Sequence, residues 1–486
     1  MNLGAMGMRD FRHAKYTAIL SDMHLCEEEP IHPKYPLWKK YKTRQFFFDD
    51  VFADFLEHIQ VLAEDEKIEL VLNGDIFDFD SLMELPPEPL YKISWLEKHR
   101  GLRAKGERSL FKMEIIFRDH PVFFNALSQF IKKGHRLIFV MGNHDLELHF
   151  EQVQKKILKQ LDLTESEELQ VRFCEWFYLS NGDTLIEHGN QYDPYCLCED
   201  PIHPFYMSHN ELALKLPFGN VACRYIMNGL AFFNPHVEAN YILTMKDYVR
   251  IFLRYMVRAQ PMLMWTWFWG ALLTFAHSFQ DRLRAPLRNP FVLEDKVAFI
   301  ASKSNATPRQ VRELKELFPA PASSQPWLLF QELWLDRSFL ILICLLAIVQ
   351  IMVVIKATTQ VSVFWALIPI FAFVPFFLFY ASSVVSYVSS YKEPDERILS
   401  MESAITGVDR IIYGHTHHAR HEQIGLVEHL NSGCWSPGFL DIECTKPVDQ
   451  KTFVWLQPDG PKRRAELRVF ADQKSNIYLK RSRAST

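Results

Sequence analysis

Five short polar strings in this chain carry side chains that commonly bind divalent metal ions. They occur in the order Ser21-Asp22-Met23-His24, Gly74-Asp75-Ile76-Phe77-Asp78, Gly142-Asn143-His144-Asp145, Glu187-His188-Gly189-Asn190 and Gly414-His415-Thr416-His417. Two cations roughly 3.5–4 Å apart need about seven or eight carboxylate, amide and imidazole ligands. The strings supply seven: Asp22, His24, Asp75, Asn143, His188, His415 and His417. The pattern therefore predicts a two-metal site, whose chemistry is the cleavage of a phosphoester bond.

The elements that must position these ligands are short apolar runs, one directly before each string. The runs span residues 17–20, 70–72, 137–141, 184–186 and 411–413. Runs of this length and composition predict buried β-strands. Because open α/β sheets place their sites at the carboxyl ends of neighbouring strands, the five strings are expected to meet there.

Two roles within the site follow from position in the strings. Asp75 is predicted to bridge the ions, because it follows both a strand and a glycine and its short side chain can then reach both ions. His144 is predicted to be the general acid for the leaving group, oriented by Asp145. Taken singly, each string could be an ordinary turn, because Gly, Asn and Asp are common turn residues. The prediction therefore depends on all five occurring together.

In this order the strings resemble the calcineurin-like metallophosphoesterase superfamily, whose pattern is D-x-H, G-D, G-N-H-D or G-N-R-D, H and G-H-x-H. The resemblance covers residues 15–195 and 405–445 and includes the segment 431–435. It implies an α/β fold with a two-sheet β-sandwich flanked by helices. It also implies one metal on Asp22, His24, Asp75 and His417, and a second on Asp75, Asn143, His188 and His415.

The chain is longer than such a catalytic domain, which takes on the order of 200–250 of its 486 residues. The surplus lies between His188 and His415. The predicted division is 1–195 for the first part of the catalytic domain, 196–326 for a helical cap, 327–395 for a transmembrane helical hairpin, 396–475 for the second catalytic part and 476–486 for a basic tail. A net charge of only -4 gives no field that would favour nucleic acid.

The hairpin prediction comes from an uncharged segment, 339–391, that is interrupted only by Lys356. It is long enough for two crossings of a bilayer at about 20 residues each. The alternative is a buried helical hairpin in a large cap. Since His188 and His415 must meet, the intervening chain can cross only an even number of times. The Trp-rich stretch 262–275 is therefore expected either to lie on the membrane or to pack in the cap.

Charges around the hairpin predict its orientation. Arg337 precedes it, Lys392 and Arg397 follow it, and Lys356 lies in its loop. The positive-inside tendency then predicts a membrane protein whose catalytic domain is on the cytoplasmic face. The eight cysteines show no disulfide framework, in agreement with a reducing compartment.

The substrate is predicted from a further resemblance. Ser-Asp-x-His-Leu and Gly-Asp-x-Phe-Asp are similar to UDP-2,3-diacylglucosamine hydrolases, which implies a lipid-linked pyrophosphate substrate beneath a lid. His144 departs from that family, whose best-known members carry Arg there. A phosphatase or phosphodiesterase of a soluble nucleotide or phosphoprotein, and a non-catalytic membrane scaffold, therefore stay open as alternatives. The predicted headgroup contacts in the lid are Lys215, Arg224, Arg250 and Arg254. The metals are predicted to be manganese, with iron or zinc open, and the oligomeric state is not predicted.

Overall fold

A computed structural model describes most of the chain. The described residues are 11–34, 36–230, 263–284, 286–359, 362–384, 386–388, 391, 393, 396–439, 443–447 and 451–470. Several predictions fall wholly or partly outside them, among them the headgroup contacts Arg250 and Arg254, the flanking charge of Lys392, part of the cap and of the hairpin, and the basic tail.

Two β-sheets form the centre of the fold. The first contains β1 (Tyr16–Leu20), β2 (Ile68–Asn73), β3 (Arg136–Val140), β4 (Val171–Cys174), β12 (Lys451–Asp459) and β13 (Lys462–Phe470), in the order β13-β12-β1-β2-β3-β4. The second contains β5 (Phe177–Ser180), β6 (Thr184–Glu187), β9 (Arg410–Tyr413), β10 (Arg420–Ile424) and β11 (Val427–Asn431), in the order β10-β11-β9-β6-β5. A separate hairpin pairs β7 (Phe205–Ser208) with β8 (Glu211–Leu214).

The strands that precede the polar strings run parallel where they are neighbours. β1, β2 and β3 pair in parallel, as do β6 and β9. A fully buried core that includes Ile19, Val71, Ile138, Ile186 and Ile412 draws side chains from both sheets. Because the inward side chains alternate along each strand with side chains on the other face, each sheet also has a second apolar face to cover. The predicted mixed α/β architecture is confirmed.

Helices cover the outer faces of both sheets. Those packed beside the first sheet are Asp49–Leu62, Gly106–Asp119, Pro121–Lys132 and Glu151–Gln160. Those packed on the second are Leu293–Lys303, Pro308–Glu316 and Glu396–Thr406. Two of these three helices fall inside the range predicted for the cap. Their buried residues, including Val297 and Val311, pack in the same cluster as Leu399 and Tyr413.

The remaining helices are shorter or belong to the cap. The α-helices are Trp95–Arg100, Glu165–Glu168, Phe218–Ala222, Asn228–Leu230, Leu263–Leu283 and Pro326–Glu332, and Cys223–Met227 is a π-helix. The 3₁₀ helices are Lys40–Lys42, Arg44–Phe46, Leu146–His149, Asn190–Tyr192, Pro290–Val292, Ala322–Ser324 and Val363–Ala366.

The Trp-rich stretch forms the helix Leu263–Leu283, which has two unlike faces. Ala271, Thr274 and Ser278 are buried, and the helix shares an apolar cluster with the neighbouring cap helices. Trp265 and Trp269 are 53% and 45% exposed. Of the two predicted arrangements, packing in the cap is present, and it leaves an aromatic face open to the surroundings.

An apolar helix, Leu335–Thr358, extends from the cap with its apolar side chains exposed. In the described part of the chain it is the one helix long and apolar enough to cross a membrane, and none of its most apolar stretch is buried. The next apolar helix, Leu367–Ser383, has 17 residues and contains Pro375. The transmembrane hairpin stays a prediction.

Candidate metal centre

The five polar strings converge where β1, β2, β3, β6 and β9 end. Backbone hydrogen bonds join the loops that carry them. The Asp22 amide donates to the Gly74 carbonyl over 3.0 Å, and the Gly414 amide donates to the His188 carbonyl over 2.9 Å. Each of these bonds lies within one sheet. The His415 amide donates to Asp22 Oδ2 over 3.1 Å and ties the loops of the two sheets together, so the site is formed between the sheets.

The backbone at the site is unusual. Five of the seven predicted ligands have positive φ angles between 50° and 65°: Asp22, His24, Asp75, His415 and His417. Residues other than glycine adopt this left-handed region rarely, and such strain clusters at functional sites. The turns direct each side chain back across the strand ends.

Two glycines make the close packing of the ligands possible. A Cβ added at Gly74 would collide with the ring of His188, and one added at Gly142 would collide with Asp75. Gly74 also has a φ of 80°, which other residues adopt only with strain. The glycines in the Gly-Asp and Gly-Asn strings thus allow ligands from different strands to approach each other.

The predicted ligands form two groups of three whose ligand atoms lie within 4.8 Å of one another. In the group Asp22, His24 and His417, the His417 Nε2 lies 3.0 Å from Asp22 Oδ1. In the group Asp75, His188 and His415, the His188 Nε2 lies 3.1 Å from Asp75 Oδ2. Asp75 also lies within the same limit of His24. It therefore stands between the groups, where a bridging ligand must be.

Buried polar atoms test whether these residues fit a metal. In the described part of the chain, Asn143 Oδ1 is buried without a hydrogen bond, and the polar contacts of the buried Asp22 Oδ1 and His188 Nε2 are to other predicted ligands. Buried polar atoms normally have a partner, because leaving one unsatisfied is costly. The His188 Nδ1 donates to the Asn73 carbonyl over 2.8 Å, and this orients the ring with Nε2 toward Asp75. Oxygen and imidazole donors in this arrangement fit divalent metal ions.

The charged groups of the site shift the pKa values of its histidine and aspartate side chains. Burial lowers the pKa of His188, but the Asp75 and Asp22 carboxylates outweigh it and raise this pKa to about 9. Burial raises the pKa of Asp75, yet the imidazoles of His188 and His144 hold it well below its usual range. A divalent cation would replace the positive charge that these protons supply.

His144 lies at the edge of the site against two carboxylates. Its Nδ1 is 3.4 Å from Asp78 Oδ1 and 3.8 Å from Asp80 Oδ2. Burial lowers its pKa, but Asp75, Asp78 and Asp80 together raise it to about 10. A protonated imidazole in this place is equipped to donate a proton.

The prediction that Asp145 orients His144 is wrong. Asp145 Oδ1 accepts from the Gly142 amide at 2.6 Å, and Oδ2 accepts from the Ile76 amide at 2.9 Å. A short side chain engaged by two backbone amides holds the loops together instead. Burial and the charge of Asp75 raise the Asp145 pKa to about 7. Asp78 and Asp80 are the carboxylates that face the His144 ring.

Arg224, predicted as a headgroup contact, is buried instead. Its guanidinium pairs with Asp80 over 2.9 Å, and the neighbouring Asn220 donates to the Asn143 carbonyl over 2.6 Å. The short cap helices that carry Asn220 and Arg224 therefore pack against the loops of the site. The headgroup prediction for Arg224 is wrong. Lys215 pairs with Glu199 over 2.6 Å at the surface.

Two acidic residues outside the five strings also contact the site, and no sequence pattern indicated them. Asp193 Oδ2 lies 3.1 Å from His415 Nε2, and Asp193, Cys196 and His415 form a further close group. Glu393 contacts Thr416 between the two histidines of the last string, and it accepts from His429 over 2.9 Å. Neither acid lies in a strand-then-string pattern, so only the fold identifies them.

Comparison with known proteins agrees with this geometry. The family model of calcineurin-like phosphoesterases matches residues 16–215. The match starts at β1, ends just after β8 and contains four of the five strings. The fifth, Gly414 to His417, reaches the same site through the β6–β9 pairing. No curated protein matches the chain.

Proposed function

Residues 16–215 form a calcineurin-like phosphoesterase domain, which makes the chain a metal-dependent phosphoester hydrolase, and we propose a more specific function for it. The protein is a two-metal enzyme at a membrane. It cleaves a phosphoester or pyrophosphate bond in a lipid-linked or nucleotide-lipid substrate. The observation that carries the two-metal part is the position of Asp75 between two groups of ligands.

The ligands divide between two sites that share one carboxylate. Asp22, His24, Asp75 and His417 would hold the first ion, and Asp75, Asn143, His188 and His415 would hold the second. When bound, the two cations activate water and neutralise charge on the phosphate oxygens. The donors are oxygen and imidazole nitrogen, which admit manganese, iron or zinc, and we propose manganese.

The chain itself supplies the acid and its alignment. His144 donates its proton to the leaving oxygen, and Asp78 and Asp80 hold the imidazole in place for this step. The ion pair with Arg224 keeps Asp80 in position. The His144 amide also donates to Asp75 Oδ1 over 2.7 Å, so acid and bridging ligand are set by the same loop.

Two observations support a membrane location. The helix Leu335–Thr358 has 24 residues, enough at 1.5 Å per residue to span a hydrocarbon core of about 30 Å, and its apolar side chains are exposed. The chain that follows the apolar helices returns directly to the site. The ring of Tyr391 lies 6.1 Å from that of His415. A substrate anchored in lipid would therefore have its phosphate near the metals, on the cytoplasmic face by the charge pattern.

A soluble substrate is the second candidate, and the residue that favours it is His144. UDP-2,3-diacylglucosamine hydrolases resemble this chain in two strings, but their best-known members have Arg in that place. With a histidine in that place, the chain resembles phosphomonoesterases and phosphodiesterases instead. The remaining alternative, a non-catalytic scaffold, would be expected to lose ligand residues, and this chain keeps all seven.

One experiment separates these functions. The full-length protein is purified in detergent, stripped with a chelator, reloaded with manganese, and assayed on UDP-2,3-diacylglucosamine, bis(p-nitrophenyl) phosphate and p-nitrophenyl phosphate. We expect metal-dependent hydrolysis, fastest on the lipid in mixed micelles. Equal rates on the soluble esters, independent of detergent, would support the soluble-substrate enzyme instead.

The matching variant is Asp75→Asn. Loss of the shared ligand is expected to lower kcat by about 1,000-fold, since bound metals contribute several kcal/mol of transition-state stabilisation and each 1.36 kcal/mol is tenfold. Asp65→Asn is its control, because Asp65 has a similar left-handed backbone, with a φ of 61° against 52° for Asp75, but is exposed. Full activity of Asp75→Asn would contradict the mechanism.

A further inference from the structure

Three side chains on one face of a cap helix converge on a single carboxylate beside the metal centre. The segment 218–230 is helical throughout. Asn220, Arg224 and Asn228 follow one another in it at intervals of four residues, a spacing that places side chains on the same face of a helix. Each of the three donates a hydrogen bond to Asp80. These three residues are called the Asp80 clamp below.

The clamp holds both carboxylate oxygens of Asp80 and its backbone. Asn220 Nδ2 donates to Oδ2 over 2.5 Å, the Arg224 guanidinium donates to Oδ1 over 2.9 Å, and Asn228 Nδ2 donates to the Asp80 carbonyl over 2.9 Å. The three donors are 0%, 4% and 8% exposed, so water has little access to these bonds. Hydrogen bonds to a charged carboxylate are the stronger kind. The Asp80 side chain therefore cannot rotate without breaking two of them.

Asp80 in turn determines what faces the proposed proton donor. Its Oδ2, the oxygen bonded to Asn220, lies 3.8 Å from His144 Nδ1. The Asp80 amide donates to Asp78 Oδ1 over 3.1 Å, and that oxygen lies 3.4 Å from the same nitrogen of His144. Both carboxylates on this side of the imidazole are thus fixed through Asp80.

Asn220 also contacts the loop that carries the acid. Its Nδ2 donates to the Asn143 carbonyl over 2.6 Å, and Asn143 directly precedes His144. One side-chain amide therefore holds both the backbone next to the acid and the carboxylate that faces the imidazole ring. The separation of the two depends on this one side chain.

The clamp is packed rigidly within the cap. Cys223–Met227 is π-helical, and such turns are rare and occur frequently at functional sites. The helix Leu263–Leu283 lies so close that a Cβ added at Gly270 would be 2.6 Å from the Tyr225 carbonyl oxygen. His277 of the same helix stacks on Tyr225 with ring centroids 4.8 Å apart. Packing of this kind holds a positioning side chain in one rotamer.

We propose that the Asp80 clamp is a set of positioning residues through which the cap aligns His144 for proton donation. The inference rests on the proposed phosphoester hydrolysis. The family match ends at residue 215, so the whole clamp comes from the insertion. Because Nδ1 faces the carboxylates, Nε2 gives its proton to the leaving oxygen as the P–O bond breaks and that oxygen keeps the electron pair. Misplacing a catalytic group by about 1 Å can cost about 100-fold in rate.

Asn220→Ala tests the clamp in the manganese-loaded, full-length protein. We expect kcat for ethyl phosphate to fall about 30-fold and kcat for p-nitrophenyl phosphate about threefold or less, because the poorer leaving group depends more on the proton. Asn228→Ala removes one bond and should show the same inequality with a smaller loss, including when Asn220→Ala does not fold. Asn125→Ala, at an exposed helical asparagine, is the control. Equal losses on both esters would overturn the proposal.

A double variant shows whether the effect passes through the acid. In a His144→Ala background, Asn220→Ala should lower kcat for ethyl phosphate no further, because the group that it positions is gone. An equal loss with and without His144 is expected of a residue that only stabilises the fold, and it would overturn the proposal. The manganese titration of Asn220→Ala should match the wild type. A shift of that titration that accounts for the whole loss would assign Asn220 to the ligand Asn143 instead.

The same proteins separate failure of the clamp from failure of the enzyme function. An unequal loss on the two esters in His144→Ala, but not in Asn220→Ala or Asn228→Ala, would refute the clamp and keep the function. Absence of metal-dependent turnover of either ester by the wild type would refute the proposed function and the role of the clamp with it.

Discussion

The two halves of the metal centre are held in different ways. On the first sheet, Asp75 and Asn143 lie in loops that the neighbouring Asp145 ties together through two backbone amides. On the second sheet, His415 is held by Asp193, and Thr416 by Glu393. The first half is supported from within its own strings. The second depends on two acids outside the five strings, Asp193 just after the fourth string and Glu393 near the end of the insertion.

This difference shows that the insertion is part of the site. Asp193 lies just before the predicted cap and inside the family match at 16–215, whereas Glu393 lies at the end of the insertion, after the apolar helices. The Glu393 side chain is only 5% exposed and contacts Thr416, His429 and Asn431. Second-sphere carboxylates of this kind orient metal-binding histidines. Whatever fixes the apolar helices therefore also fixes the loop that presents His415 and His417.

Outside the proposed metal ligands, the largest effect is expected in the first half, at the proton donor. His144→Ala should lower kcat by about 100-fold or more, the usual range for a general acid. The loss should be larger for an alkyl phosphate than for p-nitrophenyl phosphate, because a poor leaving group needs the proton more. Bound manganese, measured by elemental analysis, should not change. His421→Ala, an exposed histidine, is the control. An equal loss for both esters would contradict the acid role.

In the second half, Asp193→Asn should weaken metal binding by about 10- to 100-fold, as second-sphere changes do. The cause is a poorly oriented and less basic His415. A manganese titration of activity and of bound metal should shift together, and excess manganese should restore most of kcat. Asp162→Asn, 95% exposed, is the control. A manganese titration that does not shift would show that metal binding at His415 does not depend on Asp193.

Glu393→Gln is expected to have a smaller effect, about tenfold on the manganese titration, because glutamine keeps the shape but removes the charge. The control is Glu422→Gln on the exposed edge strand β10. A manganese titration identical to that of the wild type would mean that the charge of Glu393 does not contribute to metal binding.

The smallest effect is expected away from both halves, at the start of β3. Burial lowers the pKa of His135 to about 4, and its Nδ1 accepts from the Ile68 amide over 3.2 Å. Because this folded pKa is below the unfolded value of about 6.5, the stabilisation is complete above pH 6.5 and is lost as the pH falls through 4.

That loss is expected to be about 2 kcal/mol after allowing for solvent screening. Denaturant unfolding of the wild type and His135→Gln at pH 7, 5.5 and 4.5 measures it. The variant should lose less stability toward acid, with unchanged activity at pH 7. Parallel curves for the two proteins would contradict the prediction.

The sequence was informative where the information is local. A strand followed at once by a polar string is a contiguous pattern, so the loops of Asp22, Asp75, Asn143, His188 and His415 could be predicted with their strands. Asp75 lies between two groups of predicted ligands, and its bridging role stays a prediction. The parallel neighbours β1, β2 and β3 were a reasonable consequence of placing all ligands at one edge.

What could not be predicted depends on the path of the insertion in space. Asp193 and Glu393 contact the loop of the last string only because the folded chain brings these distant segments together. No residue spacing in the sequence indicates those contacts. The helices Leu293–Lys303 and Pro308–Glu316 have apolar faces, but a pattern does not say which sheet they cover. The same limit explains Arg224, which the sequence presents as a cation on a helix and the fold buries against Asp80.

The pairing of β6 with β9 has a consequence for synthesis of the protein. The Arg410 guanidinium donates to Thr184 Oγ1 across 226 positions of sequence. At the usual 5–20 residues per second, β9 leaves the ribosome about 10–45 s after β6. During that interval β6 lacks its β9 partner and exposes an unpaired strand edge. The apolar helix Leu335–Thr358 leaves the ribosome in the same interval. If His415 and His417 are metal ligands as proposed, the nascent chain gains activity only after translation has passed that helix.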